Sequence, residues 1–254
     1  MTLPKLAIDG EILENSLIGP QMYRLLVHCP AIAAQAAPGQ FIQVRVERGQ
    51  LLLRRPISLA DVDRTAGTLT LIYRVVGKGT AAMAALQPAD PITCLGPLGH
   101  GFSLTAKKPL LVGGGMGIAP LLFLAKTFAG KASILMGGRN AEEMFWPELY
   151  QGLVQDVFIT TDDGSMGTKG LTVTLLPALL QKGAYDRIFV CGPEIMMRGV
   201  AGIAKEAGIA CEVSLEKRMA CGLGACLSCS IDTTDGQRKK VCKDGPVFPA
   251  QEVF

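Results

Sequence analysis

The chain has 254 residues, with 25 Lys plus Arg against 22 Asp plus Glu and a net charge of +3. Apolar residues make up 49% and charged residues 19%, which supports a packed core and excludes wholesale disorder. So small a charge excludes a nucleic-acid partner, and two histidines exclude chemistry built on His clusters, while eight cysteines demand an explanation.

In chain order, Met1 to Asn15 has no cationic stretch followed by a long apolar segment, so no secretory signal is expected. The region from Met1 to about Gly101 holds short β-rich runs at Phe41–Val46, Leu51–Leu53 and Leu69–Val76. Turns at Pro38-Gly39, Arg48-Gly49 and Ala66-Gly67 separate them, a texture that predicts an antiparallel barrel or sandwich. Arg54-Arg55-Pro56-Ile57-Ser58 falls at one of its strands. An Arg pairs with a pyrophosphate, and a Ser hydroxyl bonds a heterocycle nitrogen. Gly77-Lys78-Gly79-Thr80 supplies a second phosphate-like site ahead of a short helix expected at Thr80–Leu86, with Thr80 as its N-cap.

From about Phe102 to Ala210 the rhythm becomes strand, glycine, helix, strand. Strands are expected at Pro109–Val112, Ser133–Met136, Val154–Thr160 and Arg187–Val190. Helices are expected at Ile118–Phe128, Glu142–Tyr150, Val173–Gln181 and Glu194–Glu206. That alternation predicts a parallel α/β sheet. Gly113, Gly114, Gly115 and Gly117 lie in a turn between a strand and a helix, which lets a phosphate approach backbone N–H groups. Cys191-Gly192-Pro193 ends a second strand, and strand-end loops on one edge of a parallel sheet converge on a ligand crevice. The longest apolar run, Ile118–Ala125, has eight residues against the roughly 20 a membrane helix needs. A cytoplasmic protein without membrane contact is therefore expected, where grouped cysteines serve metal or redox chemistry.

Residues 211–254 form a short basic tail that needs a metal or a partner to be stable. Cys221, Cys226, Cys229 and Cys242 lie there with C-x4-C-x2-C spacing and a distant fourth Cys. That is the plant-type 2Fe–2S pattern, the first three cysteines in a tight loop around the irons. A zinc site is the alternative, although zinc ribbons pair two short Cys units. Lys217, Arg218, Arg238, Lys239, Lys240 and Lys243 flank the cluster and offset its negative charge, or form a plain solvated face.

The three motifs in this order resemble the ferredoxin-NADP reductase superfamily. Arg55–Ser58 resembles its flavin signature, Gly113–Pro120 its glycine segment, and Cys191–Pro193 its C-G-P segment beside the nicotinamide. Glu216–Cys229 and Thr161–Gly170 are similar to the electron-transfer subunits of class 1B dihydroorotate dehydrogenases, a subfamily in which R-R-P-I-S is the usual form. The resemblance covers essentially the whole chain. It implies an α+β multidomain protein, with an FAD-binding antiparallel β-barrel domain at 1–101, a parallel α/β NAD-binding domain at 102–210 and a 2Fe–2S domain at 211–254. It places flavin contacts on Arg55, Pro56, Ile57, Ser58, Ile72, Tyr73, Arg74, Gly79 and Thr80, and cluster ligands on the four cysteines of the tail.

The resemblance also implies a direction. A separate FMN-containing dihydroorotate dehydrogenase subunit oxidises dihydroorotate, and electrons pass through 2Fe–2S and FAD to NAD+, in a heterotetramer of two copies each. Nicotinamide moves hydride, the cluster moves single electrons, and a flavin connects the two. No acid–base catalytic residue is expected, and the cluster tail is expected to pack against the partner. The rival readings are an electron-transfer subunit of another reductase (glutamate synthase, sulfide or sulfite reductase, hydrogenase) and a zinc-bound interaction module. Arg139 suits the 2′-phosphate of NADP, whereas the resemblance implies NAD. Cys29, Cys94 and Cys211 have no assigned role.

Overall fold

The computed structural model describes residues 6–46 and 51–254. The expected turn at Arg48-Gly49 and the start of the Met1–Asn15 stretch lie outside them. Six antiparallel strands come first: β1 (Leu6–Gly19), β2 (Met22–His28), β3 (Phe41–Val46), β4 (Arg55–Asp63), β5 (Thr68–Arg74) and β6 (Pro91–Leu98). They close into a barrel in the order β1-β2-β5-β4-β3-β6. Alternate residues fill it, among them Ile12, Leu25, Val27, Ile42, Val44, Leu59, Leu69 and Leu71. Two short helices, α1 (Pro30–Ala33) and α2 (Lys78–Ala84), lie in its connections.

Three local expectations need correction here. Leu51–Leu53 is not a strand, because Leu52 and Leu53 face solvent and the ladder starts at Arg55. The Leu69–Val76 run leaves the barrel after Arg74, and Val76 is exposed. The helix begins at Lys78 with Gly77 as its cap. Thr80 sits inside its first turn, and its hydroxyl reaches back to accept from the Val76 and Gly77 N–H groups at 2.9 and 3.2 Å.

The second layer alternates as expected: β7 (Pro109–Gly114), α3 (Ile118–Thr127), β8 (Ser133–Gly138), α4 (Trp146–Tyr150), β9 (Val157–Thr161), β10 (Thr168–Lys169), α5 (Thr172–Lys182), β11 (Arg187–Cys191), α6 (Glu194–Glu206) and β12 (Ala210–Ser214). The tail adds β13 (Ser230–Asp232), β14 (Arg238–Lys240), α7 (Val241–Asp244), β15 (Val247–Pro249) and α8 (Ala250–Val253). The sheet order is β10-β9-β8-β7-β11-β12-β15. Its ladders are parallel except the last, where β15 pairs antiparallel with β12. A boundary at residue 211 therefore cuts through β12, and the tail completes the sheet.

The single helix expected at Glu142–Tyr150 is two pieces, a 3-10 turn at Ala141–Glu143 and the short α4. Pro147 has no N–H to bond the Glu143 carbonyl, so a continuous helix would lose that rung. The Asn140 side chain caps the first piece, accepting from Glu143 N–H at 3.2 Å.

Candidate functional site

The strand order reverses between β7 and β11, the place where open α/β sheets bind ligands. Cys191 and Gly113 are cross-strand partners there. Beyond them Gly115, with φ of +54°, turns the chain into α3. The Tyr150 hydroxyl, fully buried, donates to the Ile118 carbonyl at 2.6 Å and pins the first residue of that helix. A Cβ on Gly117 would stand 2.3 Å from the Cys191 carbonyl oxygen, so the two strand ends touch through bare backbone.

A crevice of about 690 Å³ opens above this junction, lined by Gly114, Gly115, Gly117, Gly192, Pro193 and Arg198 with residues of the tail. A second cavity of about 410 Å³ shares Gly114, Gly115 and Pro193 and runs past Gly138, Arg139, Glu143 and Asp162. Together they make a groove long enough for a dinucleotide. Gly113 and Cys191 are not in its walls: both are buried beneath them, and burial pushes the Cys191 thiol up. Glu143 engages Arg139, accepting from its Nε at 3.0 Å and from Nη2, and that contact holds the Glu143 carboxyl below its usual range.

The barrel contributes a third cavity of about 390 Å³. Arg55, Pro56, Ile57, Ser58, Ile72, Tyr73, Arg74 and Thr80 all line it, so β4, β5 and α2 bring the expected flavin residues together. Gly79 lies just behind: a Cβ there would stand 1.7 Å from Arg55 Nε, so the bare glycine is the seat of that guanidinium. Tyr73 is a core residue as well, its ring stacked on Tyr23 at 5.8 Å and its hydroxyl donating to Asn15. Arg74 Nη2 lies 3.8 Å from the Glu143 carboxylate, whereas its buried Nε has no hydrogen-bond partner among the described residues. A buried cationic donor without an acceptor fits a phosphate-bearing ligand such as FAD.

The tail holds the four cysteines as two pairs. Cys221 and Cys226 are in hydrogen-bond contact, and so are Cys229 and Cys242. Among the described residues no three His, Cys, Asp or Glu side chains gather round one point. Two separated pairs suit a two-iron cluster, with one pair per iron, better than a single tetrahedral ion. Backbone N–H groups already point at sulfur: Leu223 donates to Cys221 Sγ at 3.3 Å and Cys242 to Cys229 Sγ at 3.4 Å. Ser228 sits 3.2 Å from Cys226 Sγ, and its hydroxyl, then backbone N–H, hold that thiol down at about 6. Gly222 and Gly224 have φ of +69° and +82°, which lets the loop curl. Cys29, Cys94 and Cys211 are buried, the first two in the barrel core, and burial pushes Cys211 up to about 12.

Sequence reasoning missed the shared wall. Met116, Leu215, Glu216 and Lys217 line both the barrel cavity and the large crevice. Recognising Ala210–Ser214 as a strand would have placed 215–217 at a strand end, beside the crevice.

A flavin-type barrel, a nicotinamide-type sheet and a four-thiol tail around adjoining cavities define a redox protein of the ferredoxin reductase kind. Residues 216–254 match the iron-sulfur cluster binding domain of dihydroorotate dehydrogenase B. The chain is 39% identical to the dihydroorotate dehydrogenase B (NAD(+)) electron transfer subunit of Desulforamulus reducens, over 96% of this chain and 97% of that one. It is 37% identical to the same subunit of Caldanaerobacter subterraneus subsp. tengcongensis, over 97% and 98%. Among solved structures it is similar to a chain of the NADH-dependent reduced ferredoxin-NADP oxidoreductase, with 31% identity, a TM-score of 0.86 and coverage of 96% and 89%. A ferredoxin NADP+ reductase from Neisseria gonorrhoeae with bound FAD and NADP shares the fold, at 19% identity, a TM-score of 0.65 and coverage of 80% and 92%. The chain belongs to the family of dihydroorotate dehydrogenase B electron transfer subunits.

Proposed function

We propose that this chain carries electrons from a dihydroorotate-oxidising catalytic subunit to NAD+, using a 2Fe–2S cluster and FAD. One observation carries the reading. The barrel cavity shares Arg74, Met116, Leu215, Glu216 and Lys217 with the nicotinamide-side crevice, and Met219 of the tail also lines it. A flavin in that cavity lies between the other two sites. When bound, the cluster supplies single-electron transfer, FAD couples it to two-electron chemistry, and NAD+ takes up hydride.

The protein's own part is binding, orientation and exclusion of water. Arg55, seated on Gly79, and Arg74 would hold the phosphates of FAD, while Pro56, Ile57, Ser58, Ile72, Tyr73 and Thr80 shape the wall. Gly114, Gly115, Gly117, Gly192 and Pro193 let NAD approach backbone, and Gly113 and Cys191 support them from below. Cys221, Cys226, Cys229 and Cys242 would hold the cluster. We divide the chain into a flavin unit (1–101), a nucleotide unit that starts at 102 and keeps the whole of β12 to Ser214, and a cluster unit after it whose β15 closes the nucleotide sheet. The catalytic partner is an FMN-containing subunit, two copies of each chain assemble, and the complex works in the cytoplasm, a compartment suited to eight cysteines that form no disulfide. No helix among the described residues is long and apolar enough to cross a membrane.

The purified chain should show flavin and iron–sulfur absorbance with two irons per chain, and with its catalytic partner should reduce NAD+ when given dihydroorotate. Zinc in place of iron, or a partner that ignores dihydroorotate, would overturn the reading.

A further inference from the structure

β3 alternates strictly. Ile42 and Val44 point into the barrel core, so Phe41 and Gln43 point outward. Outside they meet the tail. Phe41 packs in one apolar cluster with Leu98, Cys229, Val241 and Cys242. Gln43 is fully buried in the same interface. A Cβ on Gly222 would stand 2.8 Å from both Cγ and Nε2 of Gln43, so the carboxamide lies directly on the cluster loop, one residue from Cys221.

Neither Oε1 nor Nε2 of Gln43 has a hydrogen-bond partner among the described residues. A native interior rarely leaves a fully buried amide N–H₂ unpaired, so Nε2 calls for an acceptor. Phe41 and Pro56 line the flavin cavity, but Gln43 does not. The amide therefore faces the cluster loop. A thiolate–iron–sulfide cluster offers sulfur that only accepts hydrogen bonds and carries net negative charge.

We propose that the Gln43 carboxamide donates from Nε2 to a sulfur of the cluster at the Cys221 end and thereby raises its reduction potential. This rests on the assignment of the four cysteines as cluster ligands. A donor to sulfur stabilises the reduced form, which carries the extra electron. Gln43 is thus a tuning residue on the barrel, reaching across from the strand beside the flavin wall.

The test uses the full chain loaded with FAD and cluster. In Gln43→Leu, an apolar residue of similar size, the cluster midpoint potential followed by EPR should fall while the flavin potential stays. A tenfold loss in the reduction equilibrium corresponds to about 59 mV for one electron. In the unmodified chain with glutamine labelled with 15N at the side-chain amide, pulsed EPR of the reduced cluster should show 15N coupling. That second measurement decides the matter if the variant fails to assemble. An assembled variant cluster with unchanged potential, or no 15N coupling, overturns the proposal. A chain that binds no iron at all overturns the ligand assignment instead.

Discussion

Arg139 lines the groove after β8, and its guanidinium is already held by Glu143. Asp162 adds a second carboxylate to the same cavity. Two carboxylates and an engaged Arg favour a free ribose hydroxyl over a phosphate. Glu143→Gln should therefore release Arg139 and raise the use of NADPH relative to NADH by a few-fold, measured as the ratio of kcat/KM values in a dye-reduction assay. An unchanged ratio would show that Glu143 does not set the preference. At this scale the sequence was most legible where chemistry demands a residue type at a spacing. The four cysteines and Arg55–Ser58 are such cases. It was least legible where position depends on packing. Gly113 and Cys191 read as contacts but lie under the crevice floor, and Gln43 in a strand reads as an ordinary polar position until the tail closes over it.

Among the elements, α2 shows how a glycine inside a helix serves a neighbour. Gly79 has an ordinary helical backbone, so alanine there costs no strain and by propensity adds up to about 1 kcal/mol of helix stability. The new Cβ would nevertheless collide with Arg55 and displace its guanidinium. Gly79→Ala should thus leave the unfolding midpoint unchanged or raised. It should weaken FAD binding by the worth of one charged hydrogen bond, about 1.5–3 kcal/mol, roughly ten- to a hundredfold. Flavin retained on dilution, followed at 450 nm, measures this, and full retention would remove Arg55 from the FAD site. The α/β rhythm was readable because each buried strand is an apolar run punctuated by glycine. The first two barrel strands were not, because Glu11, Glu14, Asn15, Ser16 and Arg24 interrupt the apolar pattern; Glu14 and Arg24 bond across the β1–β2 ladder in a 2.8 Å ion pair, and Asn15 bonds to the Met83 and Leu86 carbonyls. Strand β12 was missed because Glu212 sits in its middle.

Over the whole molecule, Glu212 explains itself as a tie between barrel and sheet. The segment leaving the barrel passes Ser103, whose N–H donates to Glu212 at 3.0 Å and whose hydroxyl also donates to it. Arg187 on β11 completes the site at 2.7 Å. Phe102 beside it packs edge-on against Phe189 at 5.4 Å. Glu212→Ala leaves Arg187 and the Ser103 N–H without their acceptor. It should destabilise the protein by about 2–3 kcal/mol, since Arg187 retains some solvent. Denaturant unfolding of the FAD-loaded chain checks it, and a loss below about 0.5 kcal/mol, the scale of an ordinary surface change, would reduce the contact to surface decoration. The division into three textures was legible in composition, but their interlocking was not, because β15 and β12 are joined only by long-range pairing.

That pairing carries a consequence for iron supply. Within the sheet, β12 has β11 on one side and only β15 on the other. Strand β15 follows Cys242, one of the four proposed cluster ligands, by five residues. A chain starved of iron or sulfide would leave the outer rim of β12 bare, with unpaired backbone groups ready to recruit another strand. A chain made without iron should therefore be cut faster at the β12 rim in limited proteolysis than the cluster-loaded chain, and equal cutting would show that β15 holds its place unaided.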